Sequence, residues 1–234
     1  MKTQLLASAL LSILATSAQA EGWSGVGEFG LVVSSGNTET STVNAKLGLK
    51  KEDAAWLYEG SLLALRAKGD GDVTAERWEV AAKAGYKIND LSYIYGAYRH
   101  EDDNFAAFER QTTIAVGYGR QLIKNDATQL SFEVGPGYKW SDPISVLQNS
   151  QGELVLRGQL EFKHAFNENT SMYDTVLLES GSDNTFAQND IGVQVKMSER
   201  LALKAGVSVR YNTETTAPTK STDTLTTVNL AYGF

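Results

Sequence analysis

Residues 154–166 read LVLRGQLEFKHAF, and their side chains alternate between apolar and polar types. One parity holds Leu154, Leu156, Leu160, Phe162 and Phe166, and the other holds Arg157, Gln159, Glu161 and Lys163. Successive side chains of a strand point to opposite faces, so this stretch predicts a β-strand with one apolar face and one charged face. Its length is sufficient for a tilted strand to cross the hydrocarbon of a bilayer.

The same period of two recurs along the chain. It is found in residues 77–88, 129–140, 201–211 and 227–234. In the last of these stretches, TVNLAYGF, the apolar parity holds Val228, Leu230, Tyr232 and Phe234. The chain therefore ends on an apolar position of a predicted strand, where soluble proteins usually carry a few loosely ordered polar residues.

Two kinds of connection alternate between the predicted strands. The tight, polar kind occupies residues 51–53, 89–90, 124–126, 167–169 and 198–200. The longer kind occupies residues 35–38, 67–72, 100–108, 141–153, 180–188 and 212–223. Strict interleaving of these connections gives an even strand number with both termini on the tight-turn side, which is typical of bacterial outer-membrane barrels. The sequence thus predicts an all-β fold over residues 21–234, a twelve-stranded antiparallel transmembrane β-barrel with short periplasmic turns and longer external loops.

Residues 1–20 predict a cleaved signal peptide. They contain Lys2, an apolar run over residues 5–15 and the small-residue pattern Ala18-Gln19-Ala20, so cleavage is expected after Ala20 and the chain is expected to be exported. The absence of Cys excludes a disulfide scaffold, a thiolate nucleophile and a Cys-ligated zinc site. The net charge of −7 argues against nucleic acid as a partner.

A soluble β-sandwich or lipocalin-like barrel is the alternative interpretation, with the apolar face turned inward. Twelve strands, however, enclose too wide an interior for the modest apolar side chains to fill. Aromatic residues also lie near the predicted strand ends, where a membrane girdle requires them. These residues are Trp23, Trp56, Tyr58, Trp78, Tyr86, Tyr93, Tyr138, Trp140 and Tyr211. A barrel with its apolar face toward lipid is therefore favoured.

The polar parity then predicts the lining of the lumen. Its acidic members are Glu28, Glu59, Glu79, Glu133, Glu161 and Asp174. Its basic members are Lys46, Arg77, Lys83, Lys87, Lys139, Arg157, Lys163, Lys196, Lys204 and Arg210. The remaining acidic residues, among them Glu101, Asp102, Asp103, Asp142, Glu153, Asp183 and Asp223, are expected in the external loops. Two interpretations stay open: a structural network of ion pairs, or a narrow and weakly anion-selective channel.

Catalytic and metal-binding patterns are sparse. The two histidines are His100 and His164, and no Ser shares the predicted lipid-facing side with His164, so a membrane-embedded hydrolase is disfavoured. His100 adjoins Glu101, Asp102 and Asp103, whose oxygens suit a divalent cation, although such a run is more often a solvated loop. We therefore expect no enzyme activity, no cofactor and no metal site. An autotransporter-type translocator is a further alternative.

Two stretches resemble a known family, GEFGLVVSSGNTETSTVNAKLGL (27–49) and YGAYRHEDDNFAAFERQTTIAVGYGRQLI (95–123), followed by VGPGYKW (134–140). Together they are similar to the bacterial salt-induced outer membrane proteins over essentially the whole mature chain. That resemblance implies a barrel of unassigned biochemical function with a link to osmotic response. The final strand resembles the signal read by the barrel-assembly machinery. Expected partners are that machinery, outer-membrane lipid and lipopolysaccharide, and the oligomeric state is left open.

Overall fold

The computed structural model describes residues 22–34, 40–143, 150–215 and 220–234, without the side chains of residues 33 and 34. The predicted signal peptide and the first predicted loop lie outside these residues, as do parts of the predicted loops 141–153 and 212–223. The strands are β1 Trp23–Ser34, β2 Thr40–Glu52, β3 Trp56–Gly69, β4 Asp72–Lys87, β5 Ser92–Asp103, β6 Phe108–Lys124, β7 Thr128–Pro143, β8 Gln151–Ala165, β9 Thr170–Ser180, β10 Thr185–Lys196, β11 Leu201–Asn212 and β12 Thr222–Gly233. None of the described residues forms a helix with the length and apolarity of a membrane span.

Each strand pairs antiparallel with its sequence neighbours, and β1 pairs with β12 to close the sheet into a barrel. The predicted twelve-stranded antiparallel barrel is confirmed. The closing seam is short, because residues 26–30 of β1 pair with residues 229–233 of β12 over five positions, whereas β1 and β2 pair over twelve. The last residue takes part in the seam: the Phe234 N–H donates to the Gly25 carbonyl at 2.9 Å.

One end of the barrel, the turn end, carries the connections 53–55, 88–91, 125–127, 166–169 and 197–200. A short polar side chain organises each of them. The Asp53 carboxylate accepts the backbone N–H groups of Ala55 and Trp56 at 2.8 and 2.7 Å, and these bonds hold its pKa below the usual value. Asn89, Asn125, Asn167 and Ser198 accept backbone N–H groups in the same way. Local side-chain chemistry therefore fixes these turns.

Three connections at the opposite end, the loop end, are shorter than the sequence predicted. The predicted loop 67–72 is a two-residue turn in which Asp70 and Gly71 have φ values of 49° and 92°, as a tight hairpin requires. The predicted loops 100–108 and 180–188 shrink to residues 104–107 and 181–184. The polar stretches continue the strand ladders, because their alternate side chains find partners inside the barrel.

Alternation along the strands separates an apolar outer face from a charged interior. Leu154, Leu156 and Val116 are more than half exposed on the outer face, and Trp78 and Trp140 lie there near the loop end. The sequence predicted Tyr93 in the outer girdle, and this prediction is wrong. It points inward, is 8% exposed, and its ring packs over the wall at Gly119, where a Cβ atom would come within 2.3 Å of the ring.

Candidate functional site: the barrel lumen

A group of side chains, all of them charged except Phe186, crosses the lumen near the loop end, and we call this group the upper layer. It consists of Arg99, Glu101, Asp103, Lys139, Glu179, Phe186 and Arg210, each within four residues of a strand end at that side. Arg210 donates to Glu101 and, at 3.0 Å, to Asp103. Arg99 donates to Glu101 and, at 2.9 Å, to Glu79. These bonds join β11 to β5 across the interior and β5 to its neighbour β4 along the wall.

Phe186 lies at the centre of the upper layer. The cationic groups of Arg99, Lys139 and Arg210 lie 4.9, 5.1 and 5.3 Å from its ring centroid, within cation–π distance. Lys139 and Glu179 form an ion pair at 3.3 Å, although the Lys139 Nζ lacks hydrogen-bond alignment. Phe186, Lys139 and Glu179 each have 0% exposure. Side chains therefore fill this part of the lumen and exclude solvent from it.

A second group, the middle layer, is built around Glu133. This carboxylate accepts Lys83 at 2.6 Å, the Tyr93 hydroxyl at 2.7 Å and Arg157 at 3.1 Å. Lys83 also pairs with Glu59 at 2.7 Å. A carboxylate with three donors is well compensated for its burial, which explains how these charges are held away from water.

Two adjacent cavities lie below the upper layer, with volumes of about 580 and 370 Å³. They share Lys50, Glu59, Lys83, Glu161 and Thr175 in their walls, and the smaller one reaches the turn residues 89–91. The larger is lined by five basic and five acidic residues, Lys46, Lys50, Lys83, Arg99, Arg157, Glu59, Glu79, Glu161, Glu179 and Asp190. Its charge is balanced, in contrast to the basic excess expected from the sequence.

The other predicted lumenal residues are distributed along the wall. Lys204 donates to Glu28 of β1 at 2.5 Å, and Lys46 of β2 is the register partner of Glu28. Glu161 accepts the Gln159 amide at 2.5 Å. Lys163 and Lys196 line a cavity of about 170 Å³ at the turn end, where both are exposed. The structure thus brings most predicted residues into shared ion pairs but leaves these two lysines at the rim.

Several charged residues lie where the sequence did not predict them. Glu101, Asp103 and Glu153 were expected in external loops, yet all three are buried. Glu153 accepts the backbone N–H of Asp183 at 2.8 Å. Asp174 was expected in the lumen, but it lies on the outer face. Glu179, which the sequence did not predict, faces inward from β9. Asp174 has the opposite parity in the same regular strand, so the two side chains cannot both face inward.

Both histidines have structural partners on the outer face. His164 Nδ1 lies 2.9 Å from the Thr128 hydroxyl, and its ring lies between those of Phe162 and Phe166. His100 Nδ1 lies 2.7 Å from the Thr112 hydroxyl, and its ring contacts Trp78. Alternation in β5 sends His100 and the neighbouring Glu101 to opposite faces. Within the described ranges, no group of three or more His, Cys, Asp or Glu residues is arranged to hold a metal ion.

The final strand presents Val228, Leu230 and Tyr232 on the outer face, each between 44 and 48% exposed. The ring of Phe234 continues this row and covers Gly25, where a Cβ atom would come within 2.3 Å of the ring. Opposite this row, Asn229 donates to Glu28 inside the barrel at 3.4 Å. The apolar end of the chain is therefore part of the outer wall.

The fold is shared with proteins of very different sequence. The translocator domain of the autotransporter NalP from Neisseria meningitidis matches with a TM-score of 0.52 at 13% identity, over 99% of this chain and 97% of that domain. The NanC porin gives a TM-score of 0.49 at 11% identity, over 90% of this chain and 97% of the porin. No curated protein matches the sequence. A family model described as a protein of unknown function matches residues 27–234, and the chain belongs to that family, DUF481.

Proposed function

We propose that the protein is an outer-membrane β-barrel that serves as a structural component of the envelope, with a lumen sealed near the loop end. The upper layer carries this proposal, because the complete burial of Phe186, Lys139 and Glu179 leaves no water path through their part of the lumen. The apolar outer face and the charged interior support a membrane location, in which the turn end faces the periplasm. Membrane lipid, lipopolysaccharide and the assembly machinery are its partners under this proposal.

A narrow channel is the second candidate function. It is favoured by the two adjacent cavities, which together occupy the lumen from the turn end to the underside of the upper layer. In this case the upper layer acts as a gate, and rearrangement of its ion pairs opens the path. The balanced charge of the larger cavity then gives weak selectivity between anions and cations.

Other activities find less support in the geometry. Each histidine is held on the outer face by a Thr hydroxyl and packs against aromatic rings, which is a structural environment, and the protein is proposed not to be an enzyme. An autotransporter-type translocator requires a helix or passenger inside the lumen, and the upper and middle layers occupy that space. A role in the response to salt follows only from the family resemblance, and protein levels in cells grown at low and high salt test it.

Conductance in a planar bilayer separates the two candidates. The sealed barrel should insert and pass no steady current, whereas Phe186→Ala should produce one because it removes the centre of the upper layer. Phe29→Ala is the matched control, since Phe29 is 54% exposed on the outer face. A steady current through the unmodified protein would contradict the sealed barrel and establish the channel.

A further inference from the structure

A polar pair lies on the outer wall among aliphatic side chains. Asp174 of β9 stands directly opposite Phe162 and Ile191 on the neighbouring strands, and Asn189 of β10 stands opposite Val176 and Val209. The Asn189 amide donates to the Asp174 carboxylate at 2.5 Å. Ile191 is 41% exposed, which shows that this parity of β10 faces outward.

The pair lies in the middle of the wall rather than at its edge. On β9, Thr170 and Met172 lie between Asp174 and the turn end, and Val176, Leu178 and Ser180 lie between it and the loop end. By contrast, the outward carboxylates Asp102 and Asp142 are next to the last residues of their strands at the loop end. Asp174 is therefore placed where hydrocarbon surrounds an embedded barrel.

The hydrogen-bonding capacity of the pair is incompletely used. Within the described residues, one carboxylate oxygen of Asp174 receives a hydrogen bond and the other receives none. The second amide hydrogen of Asn189 reaches only the Thr175 carbonyl, at 3.4 Å. An ionisable group with an unmet acceptor is costly in lipid, and it marks a site where another polar group approaches.

We propose that this wall, centred on Asp174 and Asn189, binds a second copy of the chain. The pair is self-complementary: across a two-fold axis, each Asn189 can donate to the free carboxylate oxygen of the other copy's Asp174. Apart from Phe162, its surroundings are aliphatic side chains, Val176, Leu178, Ile191, Val193, Val207 and Val209, against which a second wall can pack. This inference rests on the proposed membrane location.

Cysteine cross-linking tests the dimer, because the natural chain has no Cys to interfere. Ile191→Cys, beside Asp174, should form a covalent dimer of twice the chain mass when outer membranes are oxidised. Val80→Cys is the control. It lies on β4, six strands from β10 around the closed barrel, and should remain monomeric.

Removal of the polar pair provides the second measurement. Adding Asp174→Leu to Ile191→Cys should lower the dimer yield by about tenfold, or about 1.4 kcal/mol, because it removes both symmetry-related hydrogen bonds of the dimer. Asn189→Leu should act in the same direction. An unchanged yield, a monomer with Ile191→Cys, or a cross-linked product of another mass would each overturn the homodimer. A failure of the proposed location is distinguishable, since every variant, including Val80→Cys, would then be missing from the membrane fraction.

Discussion

Glu133 is the residue on which the middle layer depends. Replacing Glu133 with Gln keeps its shape but leaves Lys83 and Arg157 without their shared counter-charge inside the barrel. We expect the free energy of unfolding to fall by about 3 kcal/mol, as when one member of a buried ion pair is removed. Urea unfolding in detergent micelles measures this. Glu168→Gln, in an exposed turn, is the control, and equal stability of the two variants would contradict the network.

The sequence predicts that Lys83, Glu133 and Arg157 face inward but not that they meet. They belong to β4, β7 and β8, and Lys83 and Glu133 are 50 residues apart in the chain. Alternation fixes which face a side chain takes, whereas a contact across the lumen also depends on the strand tilt and on the register of each pairing. Those properties are set by the closed barrel as a whole.

The two faces of a single strand should respond differently to substitution. Leu160→Arg on β8 should lower the stability of the membrane-embedded barrel by about 2–4 kcal/mol, because it places a charge among lipid chains. Lys163→Ala, on the inward parity of the same strand, should change it by no more than about 0.5 kcal/mol, because Lys163 is exposed at the rim. Reversible unfolding in lipid vesicles compares them, and similar losses would mean that the faces are wrongly assigned.

Strands with strong contrast between their faces were predictable, and strands with weak contrast were not. In β8 the two parities differ clearly, so the prediction for Arg157 and Leu160 agrees with the structure. In β5 the inward-facing positions begin with Tyr93 and Tyr95 and end with Glu101 and Asp103. The aromatic end resembles a membrane girdle and the acidic end resembles an external loop, so neither end was predicted to face the lumen. Three loop-end connections were predicted too long because their polar residues were interpreted as loops. Polar residues indicate a loop only when the interior of the barrel offers them no partner.

For the whole molecule, the closed barrel predicts resistance to detergent. The unheated protein should migrate faster on a detergent gel than the boiled protein, because all twelve strands are held in one continuous hydrogen-bonded sheet. The mature protein should begin at Glu21 and fractionate with the outer membrane. Gel electrophoresis with and without heating and N-terminal sequencing check these points. Recovery of an uncleaved, purely soluble chain would contradict the export and the membrane location.

The short seam between β1 and β12 also has a consequence for folding kinetics. Glu28 and Asn229 meet there although 201 residues separate them in the chain, so the seam bears the largest loop-closure cost of any strand pairing. Neighbouring hairpins can form early from local contacts, whereas the seam can form only after all of them are aligned. Because the seam has only five residue pairs in register, its closure should be the slow step of folding and its opening the first step of unfolding. Gly25→Ala, where the ring of Phe234 needs space, should therefore slow folding into lipid vesicles more than Gly96→Ala, where an added Cβ atom meets nothing within 4 Å.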